Sequence, residues 1–386
     1  MKNILVITTV SGFLQEFERE DVKLLESMGF QVHYAANDKT PVYLYEKDCY
    51  EQMRVKFHPV EIEKSPFRLL KNFRAYKKLS EIVEEEKIEA IHCHTPEGGV
   101  LGRLLGKKCG LKVIYTAHGF HFCKGENPAR NLVFKNAERY LARYTDALVT
   151  INEEDFKEAS SFKLKPGGRV FQIPGTGLDI KKFRPPEENE REKFREALRI
   201  DKNIFFLVSA GELNDNKNVC SAIKAVSLLK KEAPEKYERI RFDIYGEGSL
   251  QDSLKKEIKK EGLSDRVFLR GYCKEINKIF SAADAFIFPS KREGLGMAAL
   301  EALSCGVPVI AADNRGSREY MKNNKNGFVC PWNDPEAYKN AIADMMDLSR
   351  EEKEKMKKES RKTAESFSKE KTAEIMKEVY ETCLLQ

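Results

Sequence analysis

Short apolar runs alternate with amphipathic segments along most of this chain, and that alternation constrains the fold more than any other feature. Residues 3–10, 31–36, 88–93, 112–117 and 147–151 read as buried strands. Residues 14–28, 66–87, 98–109 and 131–144 lie between them with helical character. Apolar strands joined through helices predict a parallel sheet covered on both faces. Turn formers at 172–179 and a charged stretch at 181–192 carrying Pro185-Pro186 then interrupt the pattern. The cycle restarts with strands at 204–210, 240–245, 267–269, 285–288 and 307–311, and helices at 218–231, 249–261 and 297–305. After Trp332 only charged, helix-like sequence follows. At 386 residues the chain exceeds what one hydrophobic core usually holds. Two doubly wound α/β domains are expected, with a ligand cleft at the carboxyl ends of the strands.

Several classes are excluded by composition. No apolar run approaches the eighteen or so residues of a spanning helix, and the first residues turn polar too soon for a signal peptide. Nine cysteines, an odd number with no CxxC pair, predict free thiols in a reducing cytosol. A net charge of +6, from 67 basic and 61 acidic residues, is too mild to suggest nucleic acid. A cytoplasmic protein is expected.

The most informative stretch runs from Pro289 to Ala302. A buried strand ends there, and a loop with Gly294 and Gly296 opens a helix. Backbone N–H groups of Gly294, Leu295, Gly296 and Met297 would lie where unpaired donors and the helix dipole favour an anion. Glu293 and Glu301 stand eight residues apart, roughly 12 Å at helical rise, too far to share one proton. They suit the two hydroxyl-bearing ends of a nucleotide-sugar. Gly211 closes another strand, and Lys217 sits where the next helix begins, an unfavourable place for a cation unless an anion joins it. A diphosphate would serve; a solvated lysine is the alternative.

His118 and His121 follow the strand 112–117, and His92 and His94 end the strand before it, which suggests a polar cleft lining. His92-x-His94 also resembles half a metal site, but no third ligand stands at a credible spacing. There is no Asp-x-Asp to hold a divalent ion. The first βα turn has Gly12 alone rather than GxGxxG, which weakens a nicotinamide reading. Residues 64–78 carry Lys64, Arg68, Lys71, Arg74, Lys77 and Lys78 interleaved with Phe67, Leu69, Leu70, Phe73 and Tyr76, without an acid. Such a helix can lie on an anionic membrane surface, or present an ordinary solvated face.

Taken together, these residues resemble the retaining, nucleotide-sugar-dependent glycosyltransferases of family 4, in the branch that builds bacterial capsules and exopolysaccharides. The likeness rests on Glu293-x7-Glu301 with Gly306-x-Pro308 after it, on His92-Cys93-His94-Thr95-Pro96, and on Tyr115-Thr116-Ala117-His118-Gly119-Phe120-His121-Phe122. It implies the GT-B fold: two Rossmann-like domains facing a central cleft. Residues 1–173 would bind the acceptor and 174–365 the donor, while 366–386 would form a helix that packs back on the first domain. It also implies that Glu293 holds sugar hydroxyls, Glu301 the ribose, Lys217 the diphosphate and His118 the transferred sugar. Gly12 would approach the phosphates, Gly211 would belong to the donor site, and Gly271-Tyr272 would meet the base. His94, His121, Lys71, Arg74 and Lys78 would face acceptor or membrane. One departure stands out: Glu212 occupies a position where most members carry Arg, with Lys291 and Arg292 as candidate replacements.

The expected function is transfer from a UDP-sugar to a polyprenyl-diphosphate-linked oligosaccharide in cell-surface polysaccharide synthesis. The enzyme would be metal-independent and peripheral on the inner membrane face. A UDP-sugar epimerase of the same fold, or a non-catalytic nucleotide-sugar-binding scaffold, are the rival readings.

Overall fold

The computed structural model describes residues 2–39, 48–65, 68–123 and 127–385. The chain divides into two compact units, Met1–Gly177 with Lys369–Gln386, and Leu178–Ser368.

The first unit contains β1 (Lys2–Val10), α1 (Phe13–Phe17), α2 (Arg19–Ser27), β2 (Phe30–Asn37), α3 (Asp48–Gln52), β3 (Lys56–Pro59) and α4 (Leu69–Glu85). There follow β4 (Ala90–His94), α5 (Pro96–Cys109), β5 (Lys112–Ala117), α6 (Pro128–Ala142), β6 (Ala147–Thr150), α7 (Glu153–Ala159) and β7 (Arg169–Gln172). The seven strands are parallel in the order β3-β2-β1-β4-β5-β6-β7. The order reverses between β1 and β4, so the crevice outside their carboxyl ends is where a ligand is expected in this unit.

The second unit contains α8 (Glu188–Ala197), β8 (Phe205–Ala210), α9 (Val219–Glu232), α10 (Pro234–Tyr237), β9 (Ile240–Tyr245), α11 (Gln251–Lys260), β10 (Val267–Gly271) and α12 (Ile276–Ala282). It continues with β11 (Ala285–Phe288), α13 (Met297–Ser304), β12 (Val309–Ala312), β13 (Gly327–Cys330), α14 (Pro335–Asp347) and α15 (Arg350–Glu365). Its six parallel strands run β10-β9-β8-β11-β12-β13, with the reversal between β8 and β11. The last helix, α16 (Lys369–Leu384), belongs to the first unit. There the Tyr380 hydroxyl donates to Asp21 Oδ2 at 2.8 Å and meets His92 Nδ1 at 3.0 Å.

The strands expected from the sequence are present, with ends moved by a residue or two. Three more, β3, β7 and β13, carry no clear apolar signal. Each is an edge strand with partly exposed residues, so less of it needs to be apolar. The expected helix over 14–28 is a second difference. It breaks at Glu18, which has φ −120° and ψ 15° and joins α1 to α2. Glu18 is buried there. The helix expected over 66–87 begins at Leu69, and Pro66 and Phe67 lie outside the described residues.

Helix α5 shows how tightly the first unit is packed. A Cβ added to Gly99 would stand 2.5 Å from Tyr115 Cε2, one on Gly102 2.6 Å from Cys93 Cβ, and one on Gly106 2.1 Å from Val113 Cγ2. Glycine disfavours a helix interior by up to about 1 kcal/mol, so close approach to β4 and β5 is what these positions supply. Gly106→Ala should therefore destabilise the protein, by about 1–2 kcal/mol net, despite its better helix propensity. Denaturant unfolding measures this. An unchanged or raised midpoint would show that α5 has room to withdraw from Val113.

Candidate functional site

In the second unit, the loops after β8 and β11 flank the point where strand order reverses. They are stitched together by main-chain and side-chain bonds. The Lys291 N–H donates to Asn216 O at 2.8 Å, Asn216 Nδ2 to Arg292 O at 2.9 Å, and Asn218 Nδ2 to Pro289 O at 3.1 Å. Asn214 Oδ1 accepts from the Lys217 N–H at 3.0 Å and shapes the turn into α9. This frame brings Lys217 and Glu293 together: Nζ donates to Oε1 at 2.7 Å, with both side chains largely buried. The ammonium also stands 5.3 Å from the centre of the Phe288 ring. Two residues 76 apart in sequence thus form one charged pair at the switch point.

Glycines make the surrounding loops possible. Gly211, Gly246 and Gly271 cluster at the ends of β8, β9 and β10, where the Gly246 N–H donates to Gly271 O at 2.8 Å. A Cβ on Gly246, at φ +130°, would lie 1.9 Å from Gly211 O, so no larger residue fits. Gly296, at φ +95°, starts α13, and a Cβ there would meet the Phe288 ring at 2.8 Å. Leu295 between the two loop glycines is buried, so its side chain is a core anchor. Glu301 lies half-buried on α13, and Tyr272 is exposed beyond Gly271.

Glu212 is exposed. Lys291 reaches over the Trp332 indole, 5.4 Å from its centre, and Arg292 is exposed. Sequence reasoning overlooked three further groups around this loop pair. Asn216 Oδ1, Ser290 Oγ and Tyr320 Oη are buried and lack a hydrogen-bond partner among the described residues. Burial, together with the charge of Glu293, pushes the Tyr320 hydroxyl pKa well up. Buried polar atoms are normally paired, so this cluster marks a polar site rather than a packed core. The signal available in the sequence was only the asparagine-rich turn 214–218.

In the first unit, His118 stands just after β5. Its Nε2 lies 3.1 Å from His94 Nδ1 and 3.8 Å from Glu18 Oε1, and its ring packs edge-on against Phe13 at 5.1 Å. Burial lowers its pKa to about 4, so it is neutral near pH 7. His92 and His94 correct the expectation of a polar lining. Both are about 1% exposed, and burial keeps both uncharged. His92 bonds Thr116 Oγ1 at 2.8 Å as well as Tyr380, while His94 Nδ1 also lies 3.5 Å from Glu18 Oε1. His94 is therefore a buried support for His118 rather than an exposed contact. The Gly12 N–H is taken by Tyr50 Oη at 3.0 Å, which leaves the left-handed turn itself, φ +83°, as what Gly12 contributes. His121 is exposed, as are Lys71, Arg74 and Lys78 on α4.

Glu18 was missed because a glutamate in an amphipathic helix normally faces water. Tertiary folding supplies the third ligand-type group that the His92-x-His94 spacing lacked: Glu18, His94 and His118 offer donor atoms within 4.8 Å of one another. So do His33, His58 and Glu86 at the other side of the sheet. Both sets could hold a cation. The His94–His118 separation is equally a hydrogen bond between neutral rings.

Residues 190–363 match the family described as glycosyl transferases group 1, and residues 4–152 match glycosyl transferase 4-like. A Bacillus subtilis protein named "Putative glycosyltransferase EpsD" is 37% identical over 98% of this chain and 96% of its own length. The Escherichia coli UDP-Gal:alpha-D-GlcNAc-diphosphoundecaprenol alpha-1,3-galactosyltransferase is 29% identical over 86% of this chain and 83% of its own. Among solved structures, Anabaena Alr3699/HepE in complex with UDP-glucose superposes with a TM-score of 0.78 at 16% identity, covering 99% of this chain and all of that one. WaaG, a glycosyltransferase involved in lipopolysaccharide biosynthesis, gives 0.75 at 16% identity over 97% of this chain and 99% of its own. These likenesses establish the GT-B fold, with its pair of Rossmann-like domains.

Proposed function

Since this chain belongs to the family-4-like, group 1 glycosyltransferases, we propose that it moves a sugar from a UDP-sugar to a polyprenyl-diphosphate-linked saccharide during cell-surface polysaccharide synthesis. The observation that carries the donor assignment is the Lys217–Glu293 pair at the switch point of the second unit, ringed by buried polar atoms. A diphosphate arriving there meets Lys217 and the main chain of the 294–297 turn. Glu293, half released from Lys217, then accepts from sugar hydroxyls. Glu301 on α13 is assigned to the ribose, Gly211 to the phosphates, and Gly271 and Tyr272 to the base.

Cleavage of the anomeric bond builds positive charge on the sugar and negative charge on the leaving diphosphate. Lys217 stabilises the latter with no metal required, which is the metal-independent route. His118, neutral and held by His94 and Glu18, contributes position rather than proton transfer. We assign retention of configuration from the family resemblance; with none of these side chains assigned as a covalent nucleophile, retention requires the acceptor hydroxyl to attack from the same face that the diphosphate leaves. The lipid-linked acceptor is supported by the substrate in the E. coli relative's name and by the basic helix α4. No helix among the described residues is long and apolar enough to cross a membrane, and α4 supplies a peripheral contact instead.

Thermal denaturation with UDP, GDP, ADP, NAD and UDP-sugars tests the donor site. UDP at a hundredfold excess over its Kd should add about 2.7 kcal/mol of stability. Lys217→Ala should lose most of that increment. Stabilisation by another nucleotide but not by UDP would overturn the donor assignment.

A further inference from the structure

Seven large apolar side chains are exposed on three consecutive helices of the first unit: Leu69, Leu70 and Phe73 on α4, Val100 on α5, and Leu132, Val133 and Tyr140 on α6. Leu70 is 80% exposed, Leu69 74% and Val133 67%. So dense a cluster is more than the single exposed apolar residues of an ordinary surface. Between these helices runs a groove of about 930 Å³, walled by Phe73, Tyr76, Val100, Leu104, Val133 and Phe134.

The direction of the groove follows from the topology. Helix α5 starts at the carboxyl end of β4, so Pro96 and Glu97 mark one end, where His121 also lines the wall. His121 is three residues beyond His118. Lys107 and Lys108, in the last turn of α5, mark the other end, roughly 16 Å away at helical rise. The acids along it are largely compensated. Glu138 pairs with the buried Arg103 at 2.6 Å, and burial pushes the Glu97 carboxyl up while Lys64 opposes the shift. Two cations stand by the groove: Lys64, whose charge acts on Glu97 at the end nearest His121, and Arg130, whose guanidinium lies 5.5 Å from the Phe134 ring centre, whereas Arg68, Lys71 and Arg74 turn toward Glu61 and Glu63.

An apolar channel with a basic mouth matches an amphiphile that has a long hydrocarbon chain and an anionic head. We propose that this groove seats the isoprenoid chain of the lipid-linked acceptor, with its diphosphate at the basic rim and its saccharide directed toward His118. The assignment rests on the acceptor reading above. A flat bilayer would meet the protruding Leu69, Leu70 and Leu132 but would not fill a channel recessed between three helices. A single chain does both.

Two experiments on the full-length protein separate these ideas. Photolysis with benzophenone-modified farnesyl diphosphate should label peptides of α4, α5 or α6, and a long-chain polyprenyl diphosphate should compete. Labelling confined elsewhere overturns the proposal. In the second, acceptors with the same saccharide diphosphate but a short or a long isoprenoid are compared in wild type and in Phe73→Asp/Val133→Asp. Both positions are exposed, so the fold tolerates them. Wild type should show at least a tenfold lower KM for the long acceptor, and the variant should lose that preference while keeping kcat on the short one. Equal KM values for both acceptors in wild type overturn the groove assignment and leave the enzyme reading intact. If the variant loses only sedimentation with phosphatidylglycerol vesicles and keeps its chain-length preference, the face is a bilayer contact and the proposal falls. Groove labelling without elongation of any acceptor upholds the lipid-diphosphate site and overturns the acceptor reading instead.

Discussion

Lys217→Ala should lower kcat/KM for sugar transfer by roughly 10²–10³-fold, the usual cost of removing one fixed group that stabilises developing negative charge. Among the described residues this ammonium bonds Glu293 and contacts Phe288, both at the site itself, so the variant should remain folded. The informative partner is Glu293→Gln. At 2.7 Å the carboxylate competes with any anion for Lys217. Removing its charge should therefore leave UDP binding unchanged or tighter, while transfer falls because the sugar hydroxyls lose their acceptor. Isothermal titration with UDP and initial rates with the UDP-sugar read the two effects separately. If Glu293→Gln weakens UDP binding as much as Lys217→Ala does, the pair is a structural bridge and the division of roles fails. Turnover within a few-fold of wild type in Lys217→Ala would remove this loop pair from the mechanism.

Asp21→Asn should stabilise the protein by an amount that grows with pH. Burial raises the Asp21 carboxyl from its ordinary 3.8 to about 6, although the bonds from Tyr380 and Glu18 pull it down. Glu18 beside it is raised as well, by burial and by Asp21. Between about 4 and about 6 the fold therefore holds a proton that the unfolded chain has released. The contribution of that proton is complete at low pH and lost as pH rises through about 6. Asparagine imitates the protonated form at every pH, keeping an oxygen for Tyr380. Relative to wild type it should gain about 3 kcal/mol between pH 4 and pH 7, the difference of 6 − 3.8 pH units converted at about 1.4 kcal/mol each. The neutral histidines work in the opposite direction. His92, near 3, and His118, near 4, cost stability as pH falls below their ordinary 6.5. They are present in both proteins and largely cancel in the comparison. Denaturant unfolding of the two proteins across that range gives the result, and a difference that does not move with pH would refute the buried proton on Asp21.

The parallel-sheet architecture was legible because interior strands must be apolar over their whole length. β1, β4, β5, β8 and β11 are buried almost throughout, and their sequences say so. The edge strands β3, β7 and β13 escaped for the converse reason: with one side unpaired and residues partly exposed, they lack a continuous apolar run. The two loops that meet at Lys217 and Glu293 were legible as a candidate site because glycine, proline and a lone lysine at strand ends have few local explanations. The helix break at Glu18 was not, since residues 13–27 keep a helical apolar spacing on both sides of it.

By itself, then, the sequence determined the alternation of strand and helix, the two-unit organisation around an interruption at 172–192, and the family to which Glu293, Glu301, Lys217 and His118 belong. Those features depend on local composition, turn chemistry and spacing within one loop. Tertiary structure alone decided that Lys217 meets Glu293 across 76 residues, that His92 and His94 are buried supports instead of lining, and that Glu18 turns inward to His118. It also decided that apolar residues on three separate helices enclose one groove. Whether a charged or apolar side chain faces water or protein depends on what distant segments place against it, and no local pattern of residues carries that information.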